Sequence, residues 1–316
     1  AWVQGVGFLA WSVDSTGIFS IRNFAGQSSL WVVELASGQA RQIDTGEYTT
    51  IKDLSVSPLG DVAFMASAPG ITDRVVRWDG QRLHIEARST GDAIDPAYLA
   101  HLQPISWRAP DGMEVYGLYA PPANPRYTSQ GLPPAIVYFH GGPTSASWVR
   151  FSPEASYFAS RGYGWLEVNY RGSSGYGRTY RNALRQRWGE TDVEDALGAA
   201  QALAEQGLAD PKRLVIRGGS AGGYTVLNAL VRHPGVFKAG VNLFGVSNLF
   251  DLATDTHKFE ERYLDSMVGP LPEAAARYHA WSPIFHVANL RDPMAVFQGS
   301  VDKVVPPAQS EAIVAV

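Results

Sequence analysis

The strongest signal for chemistry in this chain is a serine placed between glycines. Gly218 and Gly222 flank Ser220 at alternate positions, directly after the apolar, β-branched run 213–216. Small residues on both sides allow the tight strand-to-helix turn that exposes a serine hydroxyl at a sheet edge. A phosphate-binding loop would need lysine where Tyr224 stands, and a dinucleotide fingerprint would need glycine at position 220. The pattern predicts Ser220 as a nucleophile, with a purely structural glycine turn as the alternative.

A nucleophilic serine needs a base to take its proton and an acid to orient that base. Asp302 comes just after the apolar run 294–298, at the end where parallel strands collect their sites. We therefore predict Asp302 as the acid, with an ordinary turn aspartate as the alternative. Asp292 precedes the same run, where a turn or capping role fits better.

Backbone N–H donors are also needed, because the reacting carbonyl develops an oxyanion. Ala221 supplies the donor that follows the nucleophile. The strand-like run 136–139 ends in His140-Gly141-Gly142, a pattern that places a second donor on the next loop. Gly142 is the preferred second donor, and Gly141 is the alternative.

The base is the residue that these motifs do not supply. In this arrangement the chain order is serine, acid, then histidine. The chain has seven histidines, and all of them precede Asp302: His84, His101, His140, His233, His257, His279 and His286. His286 comes before the strand of the acid, so we do not predict it as the base. We expect the base beyond Val316, after roughly another 30–40 residues; an inactive relative is the alternative.

The elements that must position these residues alternate in type after residue 105. A hairpin through Asp111-Gly112 is expected first, and a proline-rich loop follows it. Apolar strands and amphipathic helices then take turns, which predicts a mostly parallel, helix-covered α/β sheet. The expected strands are 135–139, 164–169, 213–216, 239–244 and 294–298, and the clearest helices are 192–206 and 222–231.

The first hundred residues have a different texture, with short alternating strands and turns. Gly60 repeats the turn at Gly17 and Gly80 repeats Gly38, at offsets of 43 and 42 residues. A period near 40–50 residues is typical of a four-stranded propeller blade. We expect residues 1–103 to form the C-terminal blades of a β-propeller, with earlier blades preceding Ala1. Residues 104–316 then form an α/β-hydrolase domain whose C-terminal end is missing; a small β-sandwich in the first part is the alternative.

Composition limits the classes of function. The 316 residues are 45% hydrophobic and 18% charged, as in a globular protein, and the formal charge of −4 predicts no nucleic-acid partner. No run of 18 apolar residues is present, so no membrane span is expected. The absence of cysteine excludes disulfides and thiolate sites, and no histidine or carboxylate cluster has metal-ligand spacing. We expect neither a metal nor another cofactor.

Together these motifs resemble those of the prolyl oligopeptidase family of serine peptidases. The resemblance rests on residues 140–143, 169–177, 218–224 and 299–302, and residues 255–263 and 303–307 point to its acylaminoacyl-peptidase-like branch. It implies a propeller that caps the active site and admits only peptides. It also implies Ser220 and Asp302 as triad members, with the histidine in a segment beyond Val316.

Substrate specificity is less determined. Several relatives carry Arg or Asn two positions after the acid to hold a substrate carbonyl, whereas this chain has Val304. The resemblance implies that the apolar run 244–250 lines the pocket for the residue before the scissile bond. The residues named for substrate contact are Phe244, Leu249, Phe250 and Arg171; Arg150 and Arg178 are further candidates, and each has core packing or solvent exposure as its alternative.

We therefore expect a cytoplasmic serine exopeptidase of acylaminoacyl-peptidase type that acts on short or N-acylated peptides. A carboxypeptidase or dipeptidyl aminopeptidase of the same family is one alternative. An esterase shares the serine turn but lacks propeller blades, and the repeat argues against it. A non-catalytic propeller binding module with an inactive hydrolase domain is the alternative outside enzymes. A homo-oligomer is left open.

Overall fold

Two small antiparallel sheets open the chain in the computed structural model, which describes residues 7–91, 94–128, 130–255 and 261–315. The first contains β1 (Leu9–Trp11), β2 (Gly17–Phe24), β3 (Gln27–Glu34) and β4 (Ala40–Ile43), and the second contains β5 (Thr50–Val56), β6 (Val62–Ala68), β7 (Ile71–Trp78) and β8 (Leu83–Arg88). Each strand pairs with its neighbour along the chain, as in a propeller blade. Leu30 and Ile43 of the first sheet and Phe64 and Val76 of the second belong to one buried cluster. The predicted blades are confirmed.

A seven-stranded sheet follows, in the order β15-β14-β13-β11-β12-β10-β9. Its strands are β9 (Gln103–Arg108), β10 (Glu114–Ala120), β11 (Ala135–Phe139), β12 (Gly164–Asn169), β13 (Leu214–Gly219), β14 (Ala239–Leu243) and β15 (Met294–Phe297). The five strands from β15 to β12 are parallel, while β10 and β9 are antiparallel to their neighbours. The predicted α/β-hydrolase class with a mostly parallel sheet is confirmed.

In the described part of the chain, eight α-helices connect or cover these strands. They are α1 (Pro153–Ala159), α2 (Arg178–Asn182), α3 (Thr191–Glu205), α4 (Ala221–Arg232), α5 (Leu249–Asp255), α6 (Tyr263–Met267), α7 (Ala275–Trp281) and α8 (Pro307–Val314), with 3₁₀ turns at Pro96–Tyr98 and Pro283–Asn289. Among the residues described, no helix has both the length and the apolar character needed to cross a bilayer.

Helix α4 is the central helix of this layer. All of its residues from Ala221 to Val231 are buried, so it is enclosed around its whole circumference rather than along one stripe. It packs against β13, β14 and β11 and against helix α3. Because α4 begins directly after Ser220, this packing holds the start of the helix, and with it the serine, at one place on the sheet.

The first blade touches the large sheet through the turn between β2 and β3. The Ala25 N–H donates to the Gly175 carbonyl at 3.1 Å, and the Val149 N–H donates to the Gly26 carbonyl at 2.7 Å. Gly175 and Val149 lie in the loops that follow β12 and β11. The blade therefore contacts the same sheet edge at which Ser220 emerges.

Candidate active site

Ser220 occupies a strained turn between β13 and α4. Its backbone has φ 54° and ψ −122°, outside the regions that residues with a side chain normally adopt. Such a conformation costs roughly 1–3 kcal/mol and persists only where the surroundings impose it. Here the Ser220 N–H donates to the Leu243 carbonyl and the Ser220 carbonyl accepts from the Tyr224 N–H, both at 3.0 Å.

Glycine is required around Ser220 because backbones approach closely there. A Cβ at Gly218 would lie 2.4 Å from the carbonyl oxygen of Gly222, and a Cβ at Gly222 would lie 2.1 Å from that of Phe139. A Cβ at Gly223 would lie 2.6 Å from the Cα of Gly245. The glycines thus bring strands β11, β13 and β14 into contact with the first turn of α4.

The predicted N–H donors are brought to this serine. A Cβ at Gly141 would lie 3.4 Å from the Ser220 Cβ and 3.9 Å from its Oγ, so the loop after β11 passes beside the hydroxyl. Gly142 and Ala221 line one pocket together with Ser220. Ala221 is the first residue of α4, where a backbone N–H has no partner within the helix. The geometry is suited to holding an oxyanion.

His140 supports this loop from beneath. Its side chain is buried, its ring stacks on Tyr170 at 4.4 Å, and its Nε2 lies 2.8 Å from the Ser173 Oγ. Its Nδ1 lies 2.8 Å from the Gly141 carbonyl, which can only accept, so Nδ1 carries the proton. Burial lowers the pKa of His140 to about 4, so the ring is neutral at pH 7. Both ring nitrogens have partners in the loops, which makes His140 a support rather than a base.

Asp302 lies in the loop between β15 and α8, and its carboxylate shapes that loop. Asp302 Oδ1 accepts from the Val304 N–H at 2.8 Å and from the Val305 N–H at 3.0 Å. Val304 and Val305 line the same pocket as Ser220. The loop that holds Asp302 is therefore beside Ser220, and Oδ1 of Asp302 is held by two N–H groups of that loop.

The pocket between these loops is small and mostly apolar, with a volume of about 80 Å³. Besides the residues already named, its walls are Pro143, Trp188, Val246, Leu252, Tyr263 and Leu264. Of the predicted run 244–250, Val246 reaches the pocket. Trp188 was not anticipated, because it precedes α3 in the chain and nothing in its local pattern indicates a pocket wall. A volume of this size suits a small or branched apolar side chain.

The individually predicted substrate residues lie elsewhere. Leu249 is fully buried in the main core, and its N–H donates to the Ser282 Oγ at 2.9 Å. Phe250 packs on the rings of Tyr278 and Phe285. The ring of Phe244 lies against Gly219 beside the nucleophile and is 37% exposed, but it is not among the walls of the pocket.

Arg171 is not brought to the pocket. Its side chain is 1% exposed, and its guanidinium contacts the carboxylates of Asp111, Glu194 and Asp195 at 2.8 Å each. A planar guanidinium with several carboxylate partners is fully occupied. The side chain links the β9–β10 turn to helix α3, so it contributes to the fold rather than facing a ligand.

A histidine base beyond Val316 stays a prediction. His286 Nε2 pairs with the Ala280 carbonyl at 3.0 Å, which agrees with its exclusion as base. His257 and part of the 255–263 motif fall outside the residues that the structure describes. Within the residues that it does describe, no group of three or more histidines and carboxylates could hold a metal ion.

Comparison with known proteins places these features among related chains. A model described as the prolyl oligopeptidase family matches residues 149–316. Over 180 residues the chain is 36% identical to an acylamino-acid-releasing enzyme of Arabidopsis thaliana, a match that covers 55% of this chain and 24% of that protein. Over 186 residues it is 32% identical to dipeptidyl aminopeptidase BIII of Pseudoxanthomonas mexicana, a match that covers 57% of this chain and 27% of that protein.

One solved structure matches the chain over almost its whole length. A Mycobacterium tuberculosis puromycin-hydrolyzing peptidase superposes with a TM-score of 0.93 at 38% identity, over 99% of this chain and 48% of that one. The chain thus spans about half the length of this solved relative, and the two curated matches cover about a quarter of theirs.

Proposed function

Because the chain belongs to the prolyl oligopeptidase family, we propose that the protein is a serine peptidase that cleaves short peptides through an acyl-enzyme on Ser220. The observation that carries this proposal is the backbone of Ser220, with φ 54° and ψ −122° between a strand and a buried helix. A strained serine beside the first turn of a helix and a Gly-Gly loop is the arrangement that acyl transfer requires. A structural glycine turn needs no such strain.

The proposed mechanism assigns one role to each group. Ser220 Oγ attacks the peptide carbonyl and its proton passes to a histidine, which we place beyond Val316. The N–H groups of Ala221 and Gly142 hold the oxyanion, with Gly141 shaping their loop. The C–N bond then breaks, the leaving amine takes the proton from the histidine, and water releases the acyl group. Asp302 orients the histidine with the carboxylate oxygen that its own loop does not use.

The proposed substrate is an N-acylated or otherwise short peptide, and the proposed activity is that of an acylaminoacyl-type exopeptidase. The small apolar pocket supports this, because it accepts one modest side chain next to the scissile bond. Similarity to an acylamino-acid-releasing enzyme supports it as well. Similarity to a dipeptidyl aminopeptidase favours dipeptidyl release as the second candidate, in which a free ammonium is recognised two residues from the bond.

We further propose that residues 1–103 are blades that cover the catalytic edge and that residues 104–316 form the hydrolase domain. The supporting contacts are those of the β2–β3 turn with Val149 and Gly175. A cover at this edge would admit flexible peptides and exclude folded proteins.

The test is labelling of the purified whole protein with a fluorophosphonate, followed by intact mass and sequencing of the labelled peptide. We expect one adduct on Ser220, its loss in Ser220→Ala, and its retention in the control Ser266→Ala, which removes an exposed hydroxyl. An adduct elsewhere, or none, would refute the proposal. N-acetyl-alanyl, free alanyl and dipeptidyl p-nitroanilides then distinguish the two candidates; we expect the acetylated substrate to be cleaved fastest.

A further inference from the structure

A second cavity, outside the pocket described above, lies where the first blade meets the loop after β12. Its volume is about 490 Å³, within the usual size of a small-ligand cleft. Three arginines line it: Arg22 from β2, and Arg178 and Arg181 from helix α2. Phe24 and Tyr176 contribute aromatic rings to the same cavity. We refer to it as the arginine groove.

The three guanidiniums have no carboxylate partner within the part of the chain that the structure describes. Arg22 lies over the rings of Phe24 and Trp31, each at 5.7 Å, contacts that leave its N–H groups free. Asp44 and Glu47 line a neighbouring groove that shares Arg22, yet neither is within ion-pair distance. The groove therefore presents three cations that form no direct ion pair with the described residues.

The arrangement is mildly unfavourable for the fold, because the three arginines are solvent-exposed and their repulsion is partly screened. Arg178 and Arg181 are three residues apart on one helix, where like charges share a face and destabilise it. Arg22 adds a third charge from another sheet. By contrast, the buried Arg171 nearby has three carboxylates around it. An anionic ligand would remove the repulsion in the groove, and a guanidinium is well suited to a carboxylate.

The groove is connected to the catalytic edge by a short path. Ser174 lines it, and the Ser174 N–H donates to the Ser145 carbonyl at 2.8 Å. The preceding residue, Ser173, contacts His140, which carries the oxyanion loop. In the sheet, β14 and β15 lie on one side of β13, and the loops that follow them carry Asp302 and part of the apolar pocket. Strand β12 lies on the other side of β13, and the loop that follows it lines the groove. A peptide with its side chain in the apolar pocket can therefore extend across Ser220 towards the groove.

We propose that the arginine groove binds the C-terminal carboxylate of the leaving segment of a short peptide substrate. This inference rests on the proposed function and adds a specificity determinant to it. The three guanidiniums are positively charged, so the groove favours the end of the peptide that carries a carboxylate. Since an extended residue spans about 3.4 Å, the groove would also favour leaving segments of one particular length.

The experiment uses the whole protein and pairs of N-acetylated peptides that end either in a carboxylate or in an amide, with leaving segments of one to four residues. We expect kcat/KM to be about three- to ten-fold higher for the acid than for the amide at the best length, since each exposed ion pair contributes up to about five-fold. The preference should shrink in 0.5 M NaCl, because salt screens exposed charges.

Arg178→Gln and Arg181→Gln should each raise KM for the acid by about two- to five-fold and leave the amide unchanged. Arg185→Gln is the matched control, an exposed arginine on the same stretch that does not line the groove. This inference alone would be overturned if the wild type cleaved acid and amide equally. It would also be overturned if Arg185→Gln raised KM for the acid as much as Arg178→Gln and Arg181→Gln do. Failure of Ser220 labelling and of all cleavage would instead overturn the proposed function.

Discussion

The nucleophile turn and the acid loop emerge from the same sheet edge, but different forces hold them. Around Ser220 the backbones of three strands and a buried helix approach so closely that glycine is required at Gly218, Gly222 and Gly223. Around Asp302 the flanking side chains are exposed, with Val301 83% and Val304 47% accessible. There the loop is shaped by two N–H bonds to a single carboxylate oxygen.

This difference means that the two loops should respond to mutation in opposite ways. Packing cannot be altered at the nucleophile turn without moving backbone, whereas a hydrogen-bond acceptor can be replaced in the acid loop with little movement. A change at the turn should therefore reduce folding stability. A change at the acid should reduce catalysis while the fold remains.

The largest effect is expected for Asp302→Asn in the whole protein. The asparagine Oδ1 can still accept from the Val304 and Val305 N–H groups, but the charge that we propose to orient the histidine is lost. We expect kcat to fall about 10³–10⁴-fold, as is usual when a triad acid is neutralised. The free energy of unfolding, measured by urea denaturation, should change by less than about 0.5 kcal/mol. A variant that unfolds, or one that keeps its activity, would show that Asp302 is a structural residue.

The second effect is expected for Gly222→Ala. The added methyl group would lie 2.1 Å from the Phe139 carbonyl oxygen, so β11 or α4 must shift. We expect a loss of at least about 3 kcal/mol in the free energy of unfolding, measured by urea denaturation.

Gly91→Ala is the matched control for this prediction, because a Cβ there meets nothing within 4 Å. Its stability should stay within about 0.5 kcal/mol of the wild type. If both variants were equally stable, close packing would not be what holds the nucleophile turn.

The smallest effect concerns His140, which supports the oxyanion loop. Its pKa is lowered to about 4 by burial, whereas an unfolded histidine titrates near 6.5. As the pH falls below about 6.5, the unfolded chain therefore binds a proton that the folded protein does not, and stability decreases. Between pH 7.5 and pH 5 this contribution amounts to about 2 kcal/mol.

His140→Gln should remove that part of the pH dependence, so its stability should decline less between pH 7.5 and pH 5 than that of the wild type. The readout is urea unfolding at both pH values. His101→Gln, at an exposed site, serves as the control and should leave the slope unchanged. An unchanged slope in His140→Gln would mean that the buried ring is protonated in the folded state.

The predicted secondary structure is most accurate where one face of an element is buried. The strands 135–139 and 164–169 match β11 and β12, because apolar residues mark both of these central strands along their length. By contrast, β4 and β8 are exposed at most positions and carry polar residues, so no apolar pattern of their own marks them as strands. Such strands form because a neighbouring strand offers hydrogen bonds, and that information is not contained in their own side chains.

The chain by itself determined the features that depend on short-range sterics. The glycine pattern around Ser220 indicates the strained turn, and the position of Asp302 after an apolar run indicates the acid loop, since both depend on residues that are neighbours in sequence. The order of strands and helices likewise follows from local periodicity.

Tertiary structure alone decided which apolar and charged side chains face a ligand. Val246 reaches the pocket while Leu249, three residues on, is buried in the core, and Trp188 arrives from a distant part of the chain. Arg171 is surrounded by carboxylates, whereas Arg178, seven residues later, faces an open groove. Leucine and valine, or two arginines, look alike in a sequence, because burial and pairing depend on long-range packing that local patterns do not contain.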